Sequence, residues 1–384
     1  MAEYKMVRLG DVCEIQSGGT PSRSKTEYWK DGTIPWVKIG DFSGKYLDKT
    51  TEHITQQGLD NSSAKLFSKG TILYSIFATL GEATILNIDA TTNQAIAGIK
   101  IKDKSSVDID YFYSFLKSLK DEVNRIGRGV AQNNINLSIL KSFFIPLPPL
   151  ETQKQIAAQL DKCTAVIAKH KQMLEKYDTL IKSRFIEMFG DPVQNPMGWE
   201  VRKLKETTDI ITGNTPSRKD KENYGAFIEW IKTDNITDKT YVTTAAEYLS
   251  EKGEMLGRTV EAGSILMACI AGSLRSIGRV ALTDRKVAFN QQINAIVPKK
   301  YNSLFLYVLF QNTQSYVQST VNMALKGILS KGKLEELEYI IPPIELQNDF
   351  ASFVQQIDKS KFAVQKSLEK TETLYKSLMQ RYFA

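Results

Sequence analysis

Short apolar runs alternate with turn-forming residues along most of the chain, and this pattern twice gives way to a long stretch without turns. The runs at residues 34–39, 71–76 and 95–101 are rich in β-branched side chains and are separated by Gly, Asn and Ser, which predicts strands. Residues 110–123 have a helical pattern. Residues 7–147 are therefore predicted to form an α+β domain.

Prolines end this region at residues 146–149, because proline fixes φ and lacks a backbone donor. The next 40 residues contain no Gly or Pro until Gly190, and apolar side chains recur every seven positions. This repeat predicts a coiled-coil helix about 60 Å long at ~1.5 Å per residue. Its two predicted seams are Leu160, Ile167, Leu174, Ile181 and Met188, and Ile156, Cys163, His170 and Tyr177.

The whole pattern then occurs a second time, at an offset of 193 to 197 residues. Residues 151–190 align with 345–384 without a gap, with 11 identities in 40 positions. The second helix has its own seams: Val354, Leu368, Tyr375 and Tyr382, and Phe350, Ile357, Val364 and Leu378. The other matching segments are residues 20–23 with 215–218, 34–38 with 228–232, 70–73 with 263–266, 93–94 with 290–291, and 148–153 with 342–347.

Two equal helices can bury both seams by pairing with each other, whereas a domain of this size is too small to cover one. Packing of each helix on its own domain is the alternative. Only the Pro-, Asn- and Gly-rich residues 191–199 separate the first helix from the second globular region, and nine residues span at most ~32 Å. The second helix can therefore run back antiparallel to the first. We predict an α+β dumbbell: two similar globes separated by two long helices in an antiparallel coiled coil, with pseudo-two-fold symmetry.

Composition narrows the class of protein. With 42% apolar and 24% charged residues among 384, the chain can bury a core in each domain. No apolar run approaches the ~20 residues of a membrane helix, and the N-terminus lacks a signal-peptide core, so we expect a cytoplasmic protein with no membrane partner. The net charge of +7 weakly favours a polyanionic partner.

Motifs for catalysis are missing. Three distant cysteines and two histidines exclude a disulfide framework and make a His-based zinc site or triad improbable. There is no phosphate-binding loop, no dinucleotide fingerprint and no methyltransferase Asn-Pro-Pro-aromatic motif. The chain is therefore not expected to be an enzyme, to bind a metal or to bind a cofactor.

Three motifs stand out: Val7-Arg8-Leu9-Gly10-Asp11-Val12, the repeated Thr-Pro-Ser-Arg, and the Pro-Pro-Leu-Glu-Thr-Gln segment that leads into a coiled-coil helix. In these motifs, and over its full length, the chain resembles the specificity subunit of a type I restriction–modification system. Phe189-Gly190-Asp191-Pro192 resembles the family's junction between its halves. The second copy departs mildly, with Ile341-Pro342-Pro343 and Asn348-Asp349.

The resemblance implies two target recognition domains (1–147 and 200–341), two spacer helices (148–190 and 342–384) and a linker (191–199). Each domain would read one half of a split target in double-stranded DNA, and the helices would set the spacing between the halves. Two methyltransferase subunits and, through them, restriction subunits would be the partners. S-adenosylmethionine, ATP and Mg would be used by those partners and not by this chain.

Comparison of the two copies separates two kinds of candidate DNA-binding residue. Features kept in both copies cannot explain how the halves read different bases. Thr20, Ser22 and Arg23, with Thr215, Ser217 and Arg218, suit phosphate contact, and a turn with a solvated arginine is an equal alternative. Trp36 and Trp230 are expected in the core, with base stacking as the alternative. The Asn-Gln pairs at 93–94 and 290–291 are expected to stabilise turns or contact the backbone, with bidentate contacts to adenine as the alternative.

The divergent polar stretches are better candidates for base reading, because Arg and Lys read guanine while Asn and Gln read adenine. A solvated basic loop is the alternative. These candidates are Arg125, Arg128, Gln132, Asn133 and Asn134 in the first copy, and Ser273, Arg275, Lys326 and Lys331 in the second.

Two other functions remain open from the sequence. A self-contained restriction–modification enzyme would need the cofactor motif that is missing. A coiled-coil scaffold that binds only proteins would show no salt-sensitive DNA binding.

Overall fold

The two halves of the repeat fold into closely similar series of strands and helices. The computed structural model describes residues 4–128, 134–321 and 327–383, with the backbone alone at Arg128. The chain divides into unit 1, which contains Met1–His170 and Ser367–Ala384, and unit 2, which contains Lys171–Lys366. Both boundaries lie inside the long helices, so each unit holds a segment of each helix.

Unit 1 contains ten strands and five helices besides the long ones, within the described residues. The strands are β1 (Lys5–Arg8), β2 (Cys13–Ser17), β3 (Ile34–Val37), β4 (Tyr46–Leu47), β5 (Glu52–Ile54), β6 (Ile72–Ser75), β7 (Ala83–Leu86), β8 (Thr91–Thr92), β9 (Ile96–Ile101) and β10 (Phe144–Leu147). The helices are α1 (Leu9–Val12), α2 (Gln56–Asp60), α3 (Ile109–Ser118), α4 (Lys120–Arg128) and α5 (Leu137–Ser142). The first long helix, α6, is Leu150–Phe189.

Unit 2 repeats this inventory, again counted over the described part of the chain. Its strands are β11 (Glu200–Lys203), β12 (Thr208–Thr212), β13 (Tyr224–Ile231), β14 (Tyr248–Leu249), β15 (Thr259–Val260), β16 (Ile265–Ala268), β17 (Val280–Leu282), β18 (Val287–Phe289), β19 (Ile293–Pro298) and β20 (Glu338–Ile341). Its helices are α7 (Leu204–Thr207), α8 (Glu251–Leu256), α9 (Ser303–Asn312), α10 (Gln314–Ser319) and α11 (Lys331–Glu335). The second long helix, α12, is Ile344–Phe383.

The sheets of the two units have matching strand orders except at two edge strands, β4 in unit 1 and β15 in unit 2. Unit 1 has a mixed sheet in the order β2-β9-β6-β7-β4, a second sheet β5-β3-β8 and the pair β1-β10. Unit 2 has β12-β19-β16-β17, a second sheet β14-β13-β18-β15 and the pair β11-β20. The place of β4 is taken in unit 2 by a parallel bridge between Tyr241 and Leu282. The α+β prediction is therefore confirmed for both halves.

The main sheet is covered on both faces. Successive side chains of a strand point to opposite sides, so each strand contributes to two cores. In β6, Ile72 and Tyr74 pack with the residues of α3, whereas Leu73 packs with Val37 of the smaller sheet. In β16, Ile265 and Met267 face α9, while Leu266 and Ala268 belong to the opposite core. Each unit is thus a layer of helices, a main sheet and a small sheet.

The repeated Pro-Pro-x-Glu-x-Gln segment fastens each long helix to its own unit. Gln153 is fully buried; its Oε1 accepts the backbone N–H of Asp108, and its Nε2 donates to Ser106 O and Pro148 O at 2.8–2.9 Å. Gln347 accepts from Asn302 N and donates to Pro342 O in the same way. Since Asp108 and Asn302 cap α3 and α9, one glutamine fixes two helix starts in each unit.

The antiparallel pairing of α6 and α12 is confirmed within the units. In unit 2, Asp178 accepts from Lys361 Nζ at 2.6 Å, and further along the helices Phe185 packs on Phe350 with ring centroids 5.5 Å apart. In unit 1, Tyr382 OH donates to Gln159 at 2.6 Å. Every residue of the predicted seams is buried or half-buried, which confirms the coiled-coil pattern.

The helix expected over residues 110–123 is in fact two helices, and that prediction is corrected. The chain bends at Leu119, which is buried, and α4 then packs close to the loop that precedes β7. A Cβ on Gly81 would lie 2.9 Å from Lys120 Cα, and Asn124 Nδ2 donates to Leu80 O at 3.3 Å. Tertiary contacts thus override the continuous helical pattern.

Among the helices of the described residues, none combines the length and the apolar character that crossing a membrane requires.

Candidate nucleic-acid interface

The Thr-Pro-Ser-Arg turns have the same contacts in both units. Thr20 Oγ1 donates to Gln94 Oε1 at 2.5 Å, and Thr215 makes the same bond to Gln291. Ser22 and Ser217 are exposed, and the Ser22 hydroxyl lies 2.8 Å from that of Ser24. The turn is therefore closed by a threonine–glutamine bond and presents a serine to solvent.

The arginine of each turn is held by an aromatic ring and a carboxylate. The guanidinium of Arg23 lies 3.6 Å from the Trp29 ring centroid and 2.6 Å from Glu52. Arg218 lies 5.2 Å from the Trp230 centroid and 2.7 Å from Glu247. Both side chains are about half exposed, at 53% and 56%. Each arginine thus has an aromatic ring and a carboxylate as partners, while about half of its side chain stays exposed.

A lysine completes each arginine–glutamate pair. Lys38 donates to Glu52 and Lys232 donates to Glu247. These lysine hydrogen bonds, together with the arginines, lower the pKa of both carboxyls, although partial burial opposes the shift. Each glutamate therefore stays ionised between two cations and keeps the turn in place.

The tryptophans and asparagines that both copies keep have structural contacts. Trp36 and Trp230 are each 3% exposed, and their indole N–H groups donate to backbone oxygens at 3.1 and 3.3 Å. Asn93 Oδ1 accepts from Ala95 N, and Asn290 Oδ1 accepts from Gln292 N. The contacts agree with the core and turn-stabilising roles expected from the sequence.

In unit 1, the two divergent stretches lie side by side. Phe77 forms an antiparallel bridge with Asn134, and Ile135 N donates to Ile76 O at 3.0 Å. Arg125 is 80% exposed, with Glu122 4.0 Å away. We call Phe77, Ala78, Thr79, Arg125 and Asn134 surface 1. Gln132, Asn133 and the side chain of Arg128 lie outside the described residues.

Unit 2 builds the corresponding surface with a longer loop. Ile270 bridges Ile328, and Leu329 N donates to Cys269 O at 2.8 Å. Three residues separate Phe77 from Gly81 in unit 1, whereas seven separate Ile270 from the equivalent Gly278. We call Ile270, Ser273, Leu274, Arg275 and Ile328 surface 2.

The added residues of surface 2 form a short 3₁₀ helix, Leu274–Ser276. The Ser273 and Ser276 hydroxyls lie 3.0 Å apart, and Arg275 is exposed. Lys331 begins α11 and lies 3.5 Å from Glu335, while Lys326 lies outside the described residues. The structure thus brings Ser273 and Arg275 to one surface with the chain that follows α10.

Sequence reasoning missed two residues that shape surface 2, Gln314 and Gln318 of α10. Their Nε2 groups donate to the carbonyl oxygens of Leu274, Arg275 and Ile277 at 2.9–3.2 Å. The sequence contains no signal for these bonds, because each glutamine lies about 40 residues from its acceptors.

The described residues contain two buried cysteines, and their potential metal ligands do not cluster. No group of three His, Cys, Asp or Glu side chains there could hold a metal ion. Cys13 and Cys269 are buried, and burial raises the pKa of each thiol to about 12. Such thiols are protonated at neutral pH and unreactive.

Comparison with known proteins gives a consistent picture. Residues 1–176 and 196–372 both match the family described as Type I restriction modification DNA specificity domain. The type I restriction enzyme MjaIX specificity subunit of Methanocaldococcus jannaschii is 25% identical over 377 residues, which cover 92% of this chain and 87% of the relative. The EcoprrI specificity subunit of Escherichia coli is 23% identical over 379 residues, which cover 93% and 88%.

The fold has solved counterparts. The S subunit of a type I restriction–modification system from M. genitalium superposes with a TM-score of 0.61 at 14% identity, covering 99% of this chain and 96% of that one. A structure described as concerning complex assembly and conformational transition of the type I R-M system gives a TM-score of 0.60 at 17% identity.

Proposed function

The chain belongs to the type I restriction modification DNA specificity family, whose members are non-catalytic specificity subunits, and from this we propose how its two units divide the target. Unit 1 reads one half of a bipartite site in double-stranded DNA, and unit 2 reads the other. The complete subunit thereby directs methylation and restriction that partner subunits carry out.

The observation that supports this proposal is the contrast between the contacts that both units share and the surfaces in which the units differ. The turns, the arginine–glutamate–lysine groups and the buried glutamines have equivalent contacts in both units. Surfaces 1 and 2 occupy equivalent places in the fold but differ in length and side chains. A shared scaffold with different polar surfaces suits two domains that read different bases.

Four polar residues of surfaces 1 and 2 are proposed for base reading: Arg125, Asn134, Ser273 and Arg275. Arg128, Gln132, Asn133, Lys326 and Lys331 remain proposals from the sequence. We assign the Thr-Pro-Ser-Arg turns mainly to the scaffold, because their arginines already have a ring and a carboxylate as partners. Their exposed serines remain available to phosphate oxygens.

The proposed domain limits follow the repeat. Residues 1–147 and 200–341 act as target recognition domains, 148–190 and 342–384 act as spacers, and 191–199 act as a linker. The spacers set the number of base pairs between the half-sites.

The partners are proposed to be two methyltransferase subunits, and restriction subunits that join through them. S-adenosylmethionine, ATP and Mg are used by these partners, and this chain binds none of them. Because the substrate is cellular DNA, the complex acts in the cytoplasm.

The test is reconstitution with a methyltransferase partner. The chain alone should bind DNA in a salt-sensitive manner and transfer no labelled methyl group from S-adenosylmethionine. With the partner, sequencing of methylated DNA should show one motif with two specified halves and an unspecified gap. Salt-independent or absent DNA binding by the complex would favour the scaffold alternative.

A further inference from the structure

Surface 2 carries an arginine, Arg275, that pairs with no carboxylate among the described residues. Of the six arginines in residues 200–341, four form ion pairs with carboxylates: Arg202, Arg218, Arg279 and Arg285. Arg258 and Arg275 form none within the part of the chain that the structure describes. Arg258 lies beside the turn of unit 2, where its backbone N–H donates to Asn214 Oδ1. Arg275 lies on surface 2, between Leu274, which is 37% exposed, and Ser276.

Two glutamines of α10 hold the backbone around Arg275 in place. Gln314 Nε2 donates to Arg275 O at 3.2 Å and to Ile277 O at 2.9 Å. Gln318 Nε2 donates to Leu274 O at 3.0 Å and to Ile277 O at 3.2 Å. These bonds occupy the carbonyls of the 3₁₀ turn while the Arg275 side chain stays exposed.

Unit 1 lacks this arrangement. Its shorter loop has no arginine between Phe77 and Gly81, and the residues corresponding to the two glutamines are Lys120 and Asn124. Lys120 pairs with Glu82, and Asn124 Nδ2 donates to Leu80 O at 3.3 Å and to Lys120 O of its own helix at 2.7 Å. The insertion and its glutamine supports therefore belong to unit 2 alone.

We propose that Arg275 reads a guanine in the half-site of unit 2, and that Gln314 and Gln318 are positioning residues for it. The inference rests on the proposed function. It adds the base that Arg275 reads and the two glutamines that position it. An arginine can donate two hydrogen bonds to guanine O6 and N7 in the major groove, a pairing that no other base offers it. A backbone that is already ordered loses less conformational entropy on binding, so the fixed turn favours a specific contact over a loose phosphate contact.

The protein-side experiment measures discrimination by the complex with its methyltransferase partner. Binding is compared for the methylated motif and for duplexes in which each G·C pair of the second half is replaced in turn. Arg275→Ala should lose roughly tenfold to a hundredfold discrimination at one G·C pair and none in the first half. The control Arg258→Ala removes the same charge and should leave every preference unchanged.

The glutamines are tested with Gln314→Met and Gln318→Met together, which remove the donors but keep the chain length. This variant should lose part of the discrimination at the same G·C pair, while its discrimination in the first half stays unchanged. A protein that merely lost stability would lose binding to all duplexes alike.

A DNA-side experiment tests the same contact from the base, and its first part uses the wild-type complex, in which no variant has to fold. Replacing guanines of the second half one at a time with 7-deazaguanine removes the N7 acceptor. One replacement should weaken the wild-type complex and have no further effect on Arg275→Ala.

Three results would overturn the proposal. The first is a second half-site without a G·C pair, and the second is full discrimination by Arg275→Ala. The third is an equal loss of affinity of Arg275→Ala for all duplexes, which indicates a phosphate contact. A wild-type complex with no preference in its second half would contradict the proposed function as well.

Discussion

At the scale of single residues, the repeated arginine is a structural anchor. Arg23→Ala removes the stacking on Trp29 and the ion pair with Glu52. We expect the free energy of unfolding of unit 1 to fall by about 1 kcal/mol, since exposed cation–π and ion-pair contacts contribute less than that each. Urea denaturation measures the loss, and the exposed Lys30→Ala is the control.

The methylated motif of the Arg23→Ala complex should stay the same. A stable variant with an altered first half-site would instead assign Arg23 to base reading.

A half-buried carboxyl in unit 2 should give a pH-dependent stability. Asp358 lines a cavity of about 300 Å³ together with Asp178, Asp238, Lys182, Arg279 and Lys361. Burial raises the pKa of Asp358 above its ordinary 3.8; Lys361 opposes this and Asp178 adds to it. A raised pKa means that the stability is greatest while the carboxyl is protonated and falls as pH rises through the folded-state pKa.

Asp358→Asn should therefore raise the melting temperature at pH 7.5 and have little effect near pH 4. Thermal unfolding at the two pH values checks the sign. A lower melting temperature at pH 7.5 would show that Lys361 outweighs burial.

Single residues also mark the limit of sequence reasoning. The burial of Trp36 and the turn role of Asn93 could be predicted, because both copies keep them. The pairing of Arg23 with Glu52 could not, since the partners are 29 positions apart and no periodicity links them. The same holds for Gln314 and the 3₁₀ turn that it supports.

At the scale of elements, the long helices were the most predictable. A seven-residue repeat over 40 residues without Gly or Pro leaves little freedom, and the seams lie where the pattern puts them. The break between α3 and α4 was not predictable, because it depends on the approach of Gly81 to Lys120. Tertiary packing decides there against a continuous helical pattern.

The two units differ in how the globular part contacts the helices, and this predicts a stabilising change. In unit 1, Lys45 lies 2.6 Å from Asp161 of α6 and 2.8 Å from Asp110. Its backbone oxygen accepts from Ile85 N, just as Thr240 O accepts from Leu282 N in unit 2. Thr240 thus stands in the place of Lys45, and it lines the cavity that contains Asp358.

Thr240→Lys should place an ammonium near Asp358 and stabilise unit 2 by up to about 1 kcal/mol. The control Thr240→Met fills similar space without charge. Chemical denaturation of both variants, alone and combined with Asp358→Asn, measures the gain. Equal gains for Lys and Met would mean that filling the cavity, and not the charge, is responsible.

Helix length should set the gap in the target. Four helix-forming residues inserted after Lys171 and four after Lys366 add ~6 Å of rise to each helix and roughly keep the seams. At ~3.4 Å per base pair, the gap should grow by one or two pairs while both half-sites stay the same. Sequencing of methylated DNA reads the gap directly. Full activity with an unchanged gap would exclude the helices as the spacer.

At the scale of the whole molecule, most of what the sequence predicts about the architecture comes from the internal repeat. An offset near 194 residues that includes both a domain and a helix predicts two equivalent units, and both units have the same strand order apart from the edge strands β4 and β15. The identity of the bases read could not be predicted, because it depends on the divergent loops, whose lengths and side chains differ between the two copies.

The central claim is that each unit reads its own half-site. The most direct measurement is the methylated motif of a complex in which residues 7–147 are replaced by the first domain of another family member. One half of the motif should change to that of the donor, while the other half and the gap stay as in the parent. A change in both halves, or in neither, would contradict the account.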